Sequence, residues 1–327
     1  MNKKKKKWLI YALCSGRYGN QLIAYSHLYA FWYANQDKFN LLVLSFWPYK
    51  DTVTTDTCCW HSTTNKVPLS IQCLHYIFSI STQKLKNKWM NIFIITAHFF
   101  AHLLPNCQSL ISNKHFMWDH IRHLCFGQDH ITLDLSNQDT LNLLQSKHTV
   151  LSGFSFKSWP LVLTYKKQIL NQLTFKDTYI KNANLFMAPI KKQFSIIIGV
   201  HIRQSDRKND PNIQTSFTVF NHYMTQIQQL FTEPVAFILT SDDQLHRATF
   251  DQNNIFFCTG SKGQSGHMIE SIIELSYCNY LIINNTTFSG WASFIKDVPI
   301  FLIQPTMPQQ LTFNHLTTCK DISGFTD

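Results

Sequence analysis

The most regular hydrophobic patterning lies after residue 195. Residues 196–202 form a β-branched apolar run, and 235–240, 255–258, 280–283 and 299–303 are further short apolar runs. Between them, 220–230, 268–278 and 288–295 repeat their apolar positions at three- and four-residue steps. Continuous apolar strands that alternate with helices predict a parallel sheet covered on both faces. The amino end opens in the same way. An apolar run at 8–13 leads through a glycine-containing turn into Leu22, Tyr25, Leu28, Tyr29, Trp32 and Tyr33, spaced as on a helix, and 41–46 reads as a second strand. From Cys58 to about Leu144 the chain is rich in Thr, His and aromatic residues and its periodicity is weak, so this part reads as mixed and insertion-rich. Polar residues and Pro189 within 182–193 predict a domain boundary, which gives lobes at 1–190 and 191–327. The fold class expected is α/β with two lobes.

Composition narrows this. The 327 residues are 45% hydrophobic and 14% aromatic but only 15% charged, which excludes a disordered chain, a coiled coil and a collagen-like repeat. The net charge of +10 at first resembles a nucleic-acid signature, but Lys3, Lys4, Lys5, Lys6 and Lys7 supply half of it. A terminal lysine run reads as a solvated tail, with peripheral membrane contact as the alternative. The milder excess in the body suits a small anionic ligand, and no nucleic-acid motif accompanies it. The apolar run after the lysines is cut short by Arg17 and Asn20-Gln21, and 92–104 is too short to span a bilayer and contains His98 and His102. A soluble, cytoplasmic protein is expected.

Nine cysteines without a C-x-x-C pair read as a reduced, intracellular set. Cys58, Cys59, His61, Cys73 and His75 match no standard zinc spacing, and His98 and His102 lack the glutamate of H-E-x-x-H. No metal site is expected.

In parallel α/β sheets, ligands bind beyond the carboxyl ends of the strands. Four segments there carry suitable chemistry. Gly16-Arg17-Tyr18-Gly19-Asn20-Gln21 has two glycines that allow close backbone approach, at a helix start that offers free N–H groups to an anion; a tight turn with a cap explains the same residues. His201-Ile202-Arg203-Gln204-Ser205-Asp206 puts His201, Arg203 and Ser205 on one side of a strand end, where Arg203 is able to clamp phosphate oxygens; a surface ion pair is the plainer reading. Thr240-Ser241-Asp242-Asp243 allows a metal site, recognition of a base edge, or a helix cap. Asn284-Asn285-Thr286-Thr287-Phe288-Ser289-Gly290-Trp291 provides hydroxyls and new N–H groups for a phosphate, or simple capping by Thr286 or Thr287.

Together these segments resemble the superfamily of α-1,2-, α-1,6- and protein O-fucosyltransferases, and most closely glycosyltransferase family 11. Gly16-Arg17-Tyr18-Gly19-Asn20-Gln21-Leu22 is similar to the family's G-R-x-G-N-Q start. His201-Ile202-Arg203-Gln204-Ser205-Asp206 is similar to its H-I-R-R-G-D, and Ser241-Asp242-Asp243 to its S-D-D. Glu274-Leu275-Ser276, Cys278 and Asn285 through Trp291 resemble its M-S-x-C and N-S-T-F-S-W-W ending. The sequence departs from these patterns where Gln204 and Ser205 stand for Arg and Gly, Thr286 for Ser, and Gly290 for Trp.

The resemblance implies a GT-B fold, two Rossmann-like lobes with a ligand cleft. It implies inverting transfer of L-fucose from GDP-fucose to a glycan hydroxyl, α-1,2 to a galactoside, without a metal cofactor. Carried over, Arg203 would hold the diphosphate and offset charge on departing GDP, His201 would orient Arg203 or touch the nucleotide, and Asp206 would position the loop. Asp242 would face the guanine or its ribose, and Thr286, Thr287 and Ser289 would bond phosphate oxygens. Arg17, Gly19 and Asn20 would approach the sugar-phosphate. Asp210, shortly after the Arg203 motif, is a candidate general base, although Asp before Pro211 is also an ordinary turn residue. The alternatives are a related glycosyltransferase with a different donor, a non-catalytic binding relative, and a metal-dependent transferase using Asp242 and Asp243.

Overall fold

Among the described residues, the strands of the first part of the chain are β1 (Lys7–Leu13), β2 (Phe39–Val43), β3 (Trp60–His61), β4 (Cys107–Ile111), β5 (Leu133–Asp134), β6 (His148–Ser152) and β7 (Phe156–Lys157). Five of them form one sheet in the order β3-β2-β1-β6-β4, parallel except for the β2–β3 pair, while β5 and β7 pair separately. The computed structural model describes residues 6–13, 18–43, 60–61, 106–111, 132–154, 156–204, 215–303 and 310–319. It divides into two compact units, Met1–Thr174 and Phe175–Thr326.

Helix α1 (Tyr18–Ala34) follows β1 and is buried along nearly its whole length, so its aromatic residues find neighbours on every side. Tyr25 and Tyr29 stack at 5.6 Å, and the Trp32 indole donates to the Phe39 carbonyl at 3.2 Å. His27 accepts the Ser158 amide at 2.9 Å, and burial lowers its pKa to about 4. The lysine run is partly folded: Lys7 opens β1 in register with Phe39, because strand pairing uses only its backbone. Three shorter helices complete the described part of this unit, α2 (Gln138–Ser146), α3 (Trp159–Thr164) and α4 (Lys166–Gln172).

The second unit opens with α5 (Asp177–Gln193), which corrects the expected boundary at 182–193. Pro189 lies inside this helix, on its exposed side one turn after the exposed Leu185, so water can solvate the carbonyl that lacks an amide partner. Polar residues there face solvent on an amphipathic helix; they do not mark a linker.

The rest of the unit runs β8 (Ile196–Ile202), α6 (Phe217–Gln228), β9 (Val235–Ser241), β10 (Ile255–Phe257), α7 (Met268–Ser276), β11 (Tyr280–Ile283), α8 (Thr287–Lys296), β12 (Ile300–Leu302) and β13 (Leu316–Thr317). The sheet order is β10-β9-β8-β11-β12-β13, with only β13 antiparallel. Strand by strand, the five parallel members read third, second, first, fourth, fifth, so the winding direction reverses between β8 and β11. Ile198, Val200 and Ile202 share one core with Phe220, Tyr223, Met224 and Ile227 of α6. Each such side chain contributes about 1.5–3 kcal/mol on burial. On the other face β8 meets α7 at Gly199, where a Cβ would lie 2.6 Å from Leu275 Cδ2 and 3.0 Å from Cys278 Sγ. Glycine lets that helix sit down on the central strand. The α/β fold class and its parallel sheets are as the sequence predicts.

Candidate functional site

Reversal of winding opens a crevice at the carboxyl ends of the two strands that flank it. Here those strands are β8 and β11, and their ends are joined by side chains. His201, the penultimate residue of β8, is 5% exposed. Its Nδ1 lies 3.1 Å from both Thr286 Oγ1 and Ser289 Oγ, and those two hydroxyls are 2.7 Å apart. Phe288 packs on the imidazole with ring centroids 5.0 Å apart. Burial lowers the His201 pKa to about 4, opposed by Asp242 and reinforced by Arg203. The ring is therefore neutral at pH 7, and Arg203, the half-buried residue just past β8, brings the positive charge to this strand end.

Thr286 occupies the N-cap position of α8, yet its hydroxyl makes no capping hydrogen bond. It is turned instead to His201 and Ser289, which corrects the expectation of simple capping by this residue. The N-cap side chain thus leaves the start of α8 to other partners, and a helix N-terminus is a place that suits an anion. Thr287 is the first residue of that helix.

Asp242 stands just past β9. Its Oδ1 accepts the backbone N–H of Gln204 at 2.8 Å, which pins the chain immediately after Arg203. The Gln204 side chain, where the family pattern has a second Arg, is buried and donates to the Thr215 carbonyl at 3.3 Å. Asn284 donates to the Thr215 hydroxyl at 2.6 Å, so one residue ties the segments after β8 and β11 together. Asp243 accepts the next amide, that of Gln244, at 2.9 Å, a local cap. Among the described residues, no group of three or more His, Cys, Asp or Glu is arranged to hold a metal ion.

The structure thus gathers His201, Arg203, Asp242, Thr286, Thr287 and Ser289 at neighbouring strand ends of one sheet. Gly19 and Asn20 lie in the first turn of α1, in the other unit. Arg17, Ser205, Asp206 and Asp210 fall outside the described residues, as do the Cys58, Cys59, Cys73 and His75 group, His98 and His102. Two participants escaped the sequence reading: Gln204 and Thr215 as anchors. Their only signal was a departure from the motif at Gln204.

Residues 165–315 match the profile of glycosyl transferase family 11. No curated protein matches the sequence. Among solved structures, an Arabidopsis thaliana FUT1 mutant in complex with GDP is 11% identical with a TM-score of 0.51, covering 96% of this chain and 74% of its own. The fucosyltransferase NodZ from Bradyrhizobium is 11% identical with a TM-score of 0.50, covering 94% of this chain and 98% of its own. POFUT1 in its apo form is likewise 11% identical with a TM-score of 0.50, over 91% of this chain and 98% of its own. At this identity the likenesses establish a shared fold. Among the described residues no helix is long and apolar enough to cross a membrane.

Proposed function

We propose that this chain, whose residues 165–315 carry the glycosyl transferase family 11 pattern, transfers L-fucose from GDP-fucose to a glycan hydroxyl. The observation that supports this best is the His201–Thr286–Ser289 triangle at the reversal point of the sheet, with Arg203 beside it. In this reading the diphosphate lies against the start of α8. The Arg203 guanidinium offsets the charge that grows on GDP as the glycosidic bond breaks, an electrostatic role for a preorganised cation. His201 stays neutral, so it adds no competing charge and holds the two hydroxyls and the adjoining strand end in place. Asp242 keeps the Arg203 segment in register through Gln204 and is the candidate to face the guanine or its ribose.

The finer points rest on the family resemblance. They are inversion at the fucose carbon, an α-1,2 link to a galactoside, no need for a metal, a loop-positioning role for Asp206, and donor contacts from Arg17, Gly19 and Asn20. Localisation in the cytoplasm, with Lys3 to Lys7 able to touch an anionic membrane surface, belongs to the same reading.

A thermal-shift titration with GDP, UDP, ADP and CMP, each with and without EDTA, tests it. A ligand at about 100 times its Kd that binds only the folded form adds roughly 2.7 kcal/mol. Selective stabilisation by GDP, unchanged by EDTA, supports the reading and leads to transfer assays with GDP-fucose and galactosides. Indifference to GDP, or a preference for UDP that chelation abolishes, overturns it.

A further inference from the structure

The loop at 259–267, between β10 and α7, is built around two buried carboxyls that the proposed chemistry does not use. Glu270 is 3% exposed and Glu274, one turn further along α7, is 0% exposed. Both face a single hydroxyl: Thr259 Oγ1 lies 2.7 Å from Glu270 Oε2 and 2.5 Å from Glu274 Oε1. A threonine hydroxyl has one proton to donate. It satisfies one of these contacts, and the other requires a proton that comes from a carboxyl.

The surroundings decide which carboxyl holds it. Glu270 Oε2 also accepts the His267 N–H at 3.3 Å, and its Oε1 accepts the Asn182 amide at 2.7 Å. It sits at the third position of α7, where the helix dipole favours an anion. Glu274 has the Thr259 N–H at 3.1 Å and the Cys258 thiol, inside the apolar layer between α7 and the sheet. Burial raises its pKa, against the pull of Thr259 and Cys258 and with a further push from Glu270. The other titratable groups facing the pair are Cys258 just past β10, Cys278 just past α7, whose thiol donates to the Glu274 carbonyl at 3.5 Å, and His267 at the helix start, the last stacked at 4.9 Å on Tyr179 of α5. Among the described residues neither glutamate has an ion-pair partner.

The loop closes tightly over this pair. A Cβ at Gly266 would collide with Glu270 Oε2, and one at Gly260 with the His267 carbonyl. From the same loop, Ser261 accepts the Ser241 N–H at 3.1 Å, and the Lys262 N–H bonds the Ser241 carbonyl at 3.0 Å. Ser241 is the last residue of β9 and directly precedes Asp242.

We infer that Glu274 holds a proton at neutral pH and donates it to Thr259, which donates in turn to Glu270, and that this chain positions the 259–267 loop and through it the Ser241–Asp242 strand end. Glu274 is a positioning residue, and its effect on donor binding rests on the nucleotide reading above; its proton does not. Ionisation of Glu274 places two carboxylates on one hydroxyl proton, and the loop then loosens. GDP affinity falls as pH rises through that ionisation, while the chemical step is spared.

Infrared spectroscopy of the full chain reads the proton directly, as a protonated-carboxyl C=O stretch distinct from the carboxylate bands. At neutral pH that band should be present, disappear in Glu274→Gln, and persist in Glu270→Gln. Glu274→Gln keeps a donor to Thr259, so its GDP Kd should match the wild type near neutrality and lose the alkaline rise. Thr259→Val, which keeps volume and removes the hydroxyl, should weaken GDP about tenfold with kcat unchanged. Absence of the band in the wild type, or its survival in Glu274→Gln, overturns the inference, as does a wild-type alkaline rise that Glu274→Gln retains. Should GDP fail to bind the wild type, the nucleotide reading falls and the infrared band still decides where the proton resides.

Discussion

The Thr286 hydroxyl, placed to cap α8, lies 3.1 Å from His201 Nδ1 at the end of β8. This one contact crosses the point where the sheet reverses its winding. It ties a strand end to a helix start. Thr286→Val should therefore remove one of the two hydroxyls that tie the ends together, leaving Ser289 on His201, while preserving shape. Loss of one buried hydrogen bond costs about 1–2 kcal/mol, so the melting temperature falls by a few degrees. GDP affinity should fall more than stability alone explains. Calorimetric titration beside thermal melts measures both, and a variant with wild-type GDP affinity would remove Thr286 from the donor site.

Arg203 brings the cationic charge to this strand end, and Gln204 beside it is committed to Thr215. Arg203→Ala should lower kcat by roughly 10²–10³, the usual cost of removing one preorganised donor from a developing anion. Melting of the free protein should be nearly unchanged. Arg203→Lys keeps charge but loses the bidentate fork and should recover only part of the rate. Full turnover in Arg203→Ala would exclude it from the mechanism.

Acid should unfold this protein partly through its buried histidines. His201 and His27 both have pKa values near 4 when folded, against 6.5 for an ordinary histidine. The unfolded chain thus binds more protons between those values, and stability falls as pH drops from about 6.5 to 4. Each group accounts for about 3 kcal/mol over that window. His201→Gln should flatten its share of the melting-temperature profile, although it lowers stability at pH 7. An unchanged slope would mean that His201 is already charged in the folded state.

Gly199→Ala tests the packing that aims β8. The added methyl would sit 2.6 Å from Leu275 and 2.7 Å from Leu281, so either the strand or α7 must shift. Overpacking of this kind costs about 1–3 kcal/mol. Because His201 is two residues away, GDP binding should weaken with stability, and denaturant melts alongside GDP titration read the two effects.

Local patterning was enough for most elements of the second unit. The runs at 196–202 and 280–283 are strands over their full extent, since continuous β-branched and aliphatic residues suit a strand buried on both faces. The same reasoning failed at 182–193, because Pro189 and its polar neighbours look alike on a solvent-facing helix and in a linker.

The candidate site was legible as a set of residue types, because strand ends in a parallel sheet advertise themselves as polar residues after apolar runs. His201, Arg203, Asp242 and the Thr286–Ser289 hydroxyls were named on that basis. Their partners were not, since a hydrogen bond between residues 85 positions apart leaves no local periodicity. Sequence alone determined that the chain builds parallel α/β layers and which polar groups stand at their ends. Tertiary structure decided that β8 and β11 are neighbours, that Thr286 turns away from its own helix, and that Asp242 bonds the backbone beside Arg203. These choices follow from strand order, which depends on how distant surfaces pack and not on the pattern within any one segment.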